Sequence, residues 1–230
     1  MFGAPDKWSD ATVSVLVCDD AALARRQLTV ALEASDHIEV MSEAADVETA
    51  LAEAVEATPD VVWIGLHLGG VLVVRLIASI RELVPGARFV VMCGPDEGDD
   101  RARALKVGAH AFVRRDEAAA EAVRITDRAA WGIPTLEERD LLALRDAFAA
   151  FERQSASLQQ QLEPPRLDEH ARAVLDALVE GGSVSGAATS LGLSEDAVEG
   201  VVASALERLQ RHSRTEAMAY AADQKVSEGG

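Results

Sequence analysis

The chain has few of the residues that most directly signal compartment or chemistry. Its 230 residues include two cysteines, Cys18 and Cys93, too few for a disulfide framework, and no Cys/His cluster has zinc spacing. Both cysteines fall at the end of an apolar run, where a small buried hydrophobe is the expected reading. The five histidines are scattered and none lies four residues from another, so neither a metal nor a cofactor is expected. No nucleophile–base pair stands out, so an enzyme is not expected. Apolar runs of the roughly 20 residues that cross a bilayer are absent, so no membrane segment is expected. The first ten residues lack a basic stretch followed by an apolar one, and a cytoplasmic protein is expected. Positive charge is also scarce: 22 Lys and Arg face 39 Asp and Glu, a net charge of −17. That balance favours solubility and opposes non-specific attachment to nucleic acid. Any contact with DNA has to be made locally, against the field of the whole chain.

What is present is ordinary for a globular protein of one or two domains: 49% hydrophobic and 27% charged residues. The organising stretch is Pro59 to Gly70. Val61 to Ile64 is an unbroken apolar run of the kind that forms a strand buried on both faces of a parallel sheet. Sites in open α/β sheets lie just past the carboxyl ends of the strands. Gly65 to Gly70 therefore occupies a site position, yet it carries no nucleophile and no carboxylate.

The flanking chain alternates strands and helices. Strands are expected at Val13–Cys18, Ile38–Met41, Val61–Ile64, Arg88–Cys93 and Ala111–Val113. Helices are expected at Ala22–Ser35, around Val47, Leu51 and Val55, along a stripe of Leu72, Leu76 and Ile80, and at Asp99–Val107 and Glu117–Arg128. This alternation implies a flavodoxin-like, doubly wound parallel sheet over residues 11–130.

The order strand–Asp19-Asp20, Pro59-Asp60-Val61-Val62, strand–Cys93 and Gly108-Ala109 with Phe112 resembles the receiver domain of bacterial response regulators. In that family an acidic pair holds Mg²⁺, an aspartate accepts a phosphoryl group, a Thr or Ser and a Lys contact it, and an aromatic residue reorients. The resemblance puts Asp19 and Asp20 at the acidic pair, Gly65 at the acceptor, Cys93 at the hydroxyl position and Phe112 at the aromatic. Arg115 falls at the Lys position, or Arg114 if the register slips. Phosphoryl transfer needs an oxygen nucleophile and a hard cation held by oxygens, and Gly65 offers neither. Phosphorylation is therefore expected to be absent. For Asp19-Asp20 three readings stay open: a loop paired with Arg115, a retained metal site, or an edge that recognises a ligand. A partner protein or small molecule at this domain is a further possibility.

Residues 131–165 read as a linker. Thr135 and Glu138 are spaced for a capping box, and Leu141, Leu144, Phe148, Phe151, Ser155, Leu158 and Leu162 alternate spacings of three and four, a heptad seam. A homodimer along a long helix is expected, with Asp140 and Arg145 placed to pair between chains. Pro164-Pro165 ends the helix.

Over residues 166–222 a short helix, a Gly192 turn and a longer helix opened by Ser194 make a helix-turn-helix, followed by a short helix at Thr215–Ala222. Ala173-Val174-Leu175, Leu191-Gly192-Leu193 and Arg214-Thr215-Glu216-Ala217 carry a resemblance to the LuxR/NarL-type DNA-binding domain. That resemblance implies double-stranded DNA as partner, with Arg208 and Arg214 at the family's basic positions, and Arg211 adds a third cation nearby. Glu199 stands where the family often has Lys. From Glu163 to Gly230 six Lys and Arg face twelve Asp and Glu, a deficit for a domain that must neutralise phosphates. Residues 223–230 read as a disordered tail. The expected function is a phosphorylation-independent, dimeric transcription regulator. The alternative is an adaptor whose acidic helix-turn-helix has left DNA and docks on another regulator.

Overall fold

The computed structural model describes residues 12–94, 98–155, 167–181 and 183–228, with the backbone alone at 98–99, 151–155, 181 and 214–228. The chain divides into two compact units, one ending at Leu136 and one beginning at Glu137, with Leu105–Val107 grouped with the second.

In the first unit β1 (Val13–Cys18), β2 (Ile38–Ala44), β3 (Val61–Gly65), β6 (Arg88–Cys93) and β7 (Ala109–Arg114) form one parallel sheet in the order β2-β1-β3-β6-β7. Helices α1 (Ala22–Glu33), α2 (Val47–Ala57), α3 (Val74–Leu83) and α4 (Gly98–Val107) connect the strands, and α5 (Ala118–Ala130) follows the last of them. The strands are apolar at consecutive positions because successive side chains face opposite helical layers. Val13, Val15, Val17, Trp63, Val90, Met92 and Val113 pack with Leu28 and Leu32 of α1 and with Ala122, Ile125 and Ala129 of α5. On this face the Trp63 indole donates to the Thr126 hydroxyl over 2.8 Å. The alternate residues, among them Leu16, Val62, Ile64, Phe89 and Val91, are equally buried. The start of β3 is clamped to β1 by Asp60, whose carboxylate accepts from both the amide and the hydroxyl of Ser14.

Two local features differ from expectation. Leu72 does not join the α3 stripe; it lies in a two-stranded hairpin of β4 (His67–Leu68) and β5 (Val71–Leu72). The reason is Gly69-Gly70, whose φ values of 60° and 77° suit the two-residue turn that matches strand twist. Thr135 does not cap the next helix. It adds to the sheet edge, exchanging backbone hydrogen bonds with His110 and Phe112.

The second unit contains α6 (Glu138–Ser155), α7 (Glu169–Gly181), α8 (Val184–Leu191) and α9 (Glu195–Glu228). Here α6 packs on α7 and α9, and Leu141, Leu144 and Phe148 are buried within this one chain. That corrects the expected use of these three residues between subunits, because the apolar stripe already meets the hydrophobic faces of α7 and α9. The interchain pair is likewise replaced: buried Asp140 accepts from the Glu137 amide, and Arg145 faces Asp176 at 3.6 Å. The side chain of Phe151, and Leu158 and Leu162 altogether, lie outside the described residues. Among the described residues no helix is long and apolar enough to cross a membrane.

Between α8 and α9 the chain turns at Gly192, in the left-handed region at φ 66°, with its amide on the Ala188 and Thr189 carbonyls. Ser183 caps α8 through the Gly186 amide and Ser194 caps α9 through that of Ala197. The separate helix expected at Thr215–Ala222 and residues 223–228 of the tail expected after it are absorbed into one continuous α9 of 34 residues, and residues 229–230 lie outside those described. Nothing between Leu209 and Glu228 is Gly or Pro, so no residue there stops the helix.

Candidate functional site

The carboxyl ends of β1, β3, β6 and β7 bring together Asp19 and Asp20, Gly65, Cys93, and Arg114 with Arg115. Backbone bonds hold these ends in place: the Leu66 amide donates to Met92, and the Arg115 amide to Cys93. Of the two arginines, it is Arg115 that reaches the acidic pair. Arg114 points outward onto Asp116 and Glu117, while the Arg115 guanidinium turns inward.

Asp19 is fully buried. Its Oδ1 accepts from the Ala21 amide at 2.8 Å and from Arg115 Nη1 at 3.1 Å. Its Oδ2 is buried and has no hydrogen-bond partner. Burial pushes the Asp19 carboxyl up from the usual carboxylate range, against the opposing pull of the Ala21 amide and the Arg115 charge. The same Nη1 lies 3.7 Å from Asp20, and Asp20 Oδ2 accepts from the Gly69 amide in the hairpin turn. One arginine thus bridges the acidic pair, the first of the three readings left open by the sequence.

Gly65 ends β3 beside this pair. A Cβ there stands 3.0 Å from Arg115 Nη2, 3.0 Å from the His67 carbonyl and 3.3 Å from Asp19 Oδ2. The space beside the strand end is filled by the guanidinium itself.

On the other side of the sheet ends, Arg101 of α4 is buried and donates through Nη1 to the Cys93 sulfur. Its guanidinium carbon lies 4.6 Å from the centroid of the buried Phe112 ring, in cation–π range. Sequence reasoning did not single out Arg101. The available signal was its position three and four residues before the buried Ala104 and Leu105, on the inward face of α4.

In the second unit the expected basic cluster is placed on α9. Arg208 faces Asp168 at 3.7 Å and Arg211 faces Glu207 at 3.3 Å, one helical turn back. Glu199 lies on the same helix, half-buried. The side chain of Arg214 lies outside those described.

Residues 15–126, within the first unit, match the family model of the response regulator receiver domain. Relatives match over almost the whole chain. The DNA-binding transcriptional activator DevR/DosR of Mycobacterium tuberculosis is 26% identical over 94% of this chain and 96% of its own length. The response regulator protein VraR of Staphylococcus aureus is 26% identical over 91% of this chain and 96% of its own. Among solved structures, a LuxR-family two-component response regulator from Aurantimonas matches with a TM-score of 0.51 and 25% identity, over 55% of this chain and 90% of that one. The Salmonella typhimurium RcsB response regulator matches with a TM-score of 0.51 and 17% identity, over 86% of this chain and 92% of that one, and shares the fold. The architecture is therefore a five-stranded parallel receiver fold followed by a helical C-terminal region, and the homologues are transcriptional response regulators.

The Mg²⁺ that receiver domains imply does not fit these residues. Mg²⁺ demands near-octahedral oxygen donors close to 2 Å. The strand ends offer the Asp19 and Asp20 carboxylates, no third carboxylate at Gly65, and a guanidinium in contact with both acids. Among the described residues no group of three or more His, Cys, Asp or Glu is placed to hold a metal.

Proposed function

We propose that the protein is a transcription regulator that binds double-stranded DNA through its C-terminal helices and works without phosphorylation of its receiver domain. The observation that carries this reading is Gly65 at the end of β3, where an acceptor carboxylate is needed and a guanidinium stands instead. DNA as partner is supported by the transcriptional roles of the full-length relatives and by the helix, tight turn and helix of α8 and α9. The adaptor alternative has no comparable support.

In this reading α9 is the recognition helix, and Arg208, Arg211 and Arg214 contact phosphates. Glu199 reduces affinity where the helix enters the groove. Self-association into a homodimer falls to the later part of the seam, Phe151 to Leu162, since the earlier part is already covered within the chain. Cytoplasmic placement follows from DNA as the partner.

Filter binding to genomic fragments at several salt concentrations tests the reading. A preferred site with steep salt dependence is expected, because affinity rests on released counterions. Glu199→Lys is expected to bind more tightly, exchanging repulsion for attraction. No retention at low salt, or weaker binding by Glu199→Lys, would overturn it.

A further inference from the structure

We infer that the Arg115 guanidinium is the resident cation of the receiver pocket, held in place of a divalent ion, and that Gly65 is the residue that makes room for it. This rests on the degenerate-receiver reading but goes beyond it. Losing an acceptor removes phosphorylation; filling the pocket also removes metal binding, which the acidic pair alone could otherwise retain.

Four observations converge. Arg115 Nη1 contacts Asp19 at 3.1 Å and approaches Asp20 at 3.7 Å, so a single nitrogen serves both acids of the pair. Nη2 lies 3.0 Å from where any side chain at position 65 must begin, so a residue larger than glycine presses on the guanidinium. The backbone aims the guanidinium, because the Arg115 amide is tied to the Cys93 carbonyl at the end of β6. Finally, the Gly69-Gly70 turn closes over the other side through its hydrogen bond to Asp20. A planar, permanently charged fork suits this bridging better than an ammonium. A tethered cation also has the advantage of proximity: it needs no capture from solution. A divalent ion entering here would meet a fixed positive charge and one carboxylate too few, a like-charge juxtaposition that opposes binding.

The test is Mn²⁺ binding to the full chain, with free Mn²⁺ read by electron paramagnetic resonance. The exposed acids of a chain of net charge −17 give a weak background, so the decisive comparison is with Asp19→Asn. Wild type and Asp19→Asn are expected to be indistinguishable. Arg115→Gln is expected to gain one site, about tenfold or more tighter than background, and to lose it when Asp19→Asn is added. Gly65→Ala is expected to gain the same site more weakly, by pushing the guanidinium aside, which gives a second route if Arg115→Gln folds poorly by circular dichroism. The inference is overturned if wild type already holds a Mn²⁺ that Asp19→Asn removes, or if a folded Arg115→Gln or Gly65→Ala gains none. Neither result depends on DNA binding, and a failed DNA experiment leaves this one standing.

Discussion

The two units neutralise their functional charges in opposite ways. In the receiver an acidic pair is supplied with an arginine; on α9 arginines are supplied with acids. The environments differ more than the distances. Asp19 is 0% exposed and Arg115 36%, whereas Arg211 and Glu207 are 63% and 66% exposed. An exposed i, i+4 pair is worth a few tenths of a kcal/mol and is screened by salt, so a phosphate backbone can take Arg211 from Glu207 at little cost. A buried carboxylate without its partner carries a large desolvation penalty, so nothing readily takes Arg115 from Asp19. The same pairing chemistry closes one site and leaves the other open to exchange.

The largest effect that tests this contrast is all-or-none. Acetyl phosphate is expected to leave the chain unmodified by intact mass, and Gly65→Asp alone is not expected to restore efficient turnover, because Cys93 and Arg115 remain. A phosphoryl adduct on the wild-type protein would break the comparison at once.

Next comes stability. Arg115→Ala strands the Asp19 charge and is expected to cost roughly 1–3 kcal/mol, less than a fully enclosed pair because Arg115 is partly solvated. The deficit carries a sign in pH. The folded-state pKa of Asp19 is already raised by burial, and losing Arg115 removes one of the influences that lower it. Its ionised form therefore destabilises the fold above that pKa. As pH falls through that value toward the ordinary carboxylate range, protonation relieves the cost, and the gap between variant and wild type is expected to close. Urea titrations at neutral pH and at about pH 4.5 check this; a gap that widens on acidification points to a different role.

The smallest effect belongs to α9. Arg211→Ala is expected to change stability by less than about 0.5 kcal/mol while lowering the salt slope of DNA binding by about one unit. A destabilisation as large as that of Arg115→Ala would erase the distinction between the two pairs.

Much of the fold was legible because it is written in unbroken apolar runs and in periodic stripes. Val13–Cys18 and Arg88–Cys93 are strands with the very bounds their hydrophobicity marks. The Gly65 vacancy was legible for the same reason, since a strand end locates a site. The misreadings have separate causes. A heptad spacing states that a stripe is covered but not by what, and Leu144 and Phe148 are buried on a helix that packs against α7 and α9 of its own chain. The Gly69-Gly70 hairpin was signalled by its dipeptide but masked by the apparent helical period of Leu72, Leu76 and Ile80. Arg101 was invisible because a charged residue is normally assigned to the outside of a helix. A sulfur acceptor and an aromatic face, supplied by the neighbouring strands β6 and β7, help to make its burial tolerable.

The enclosed indole of Trp63 gives the molecule an optical asymmetry. All three tryptophans, Trp8, Trp63 and Trp131, precede Leu136, while the sole tyrosine, Tyr220, lies on α9. Excited at the red edge, the protein fluoresces from the receiver side alone, and the hydrogen bond from Trp63 to Thr126 ties part of that emission to the packing of α5 against β3. Helical circular dichroism, by contrast, draws on both units, since α1 to α5 contribute alongside α6 to α9. Two melting curves on one sample, one in each light, therefore compare the receiver side with the whole molecule. Coincident midpoints mean that the units unfold as one; separated midpoints mean that each holds its own structure.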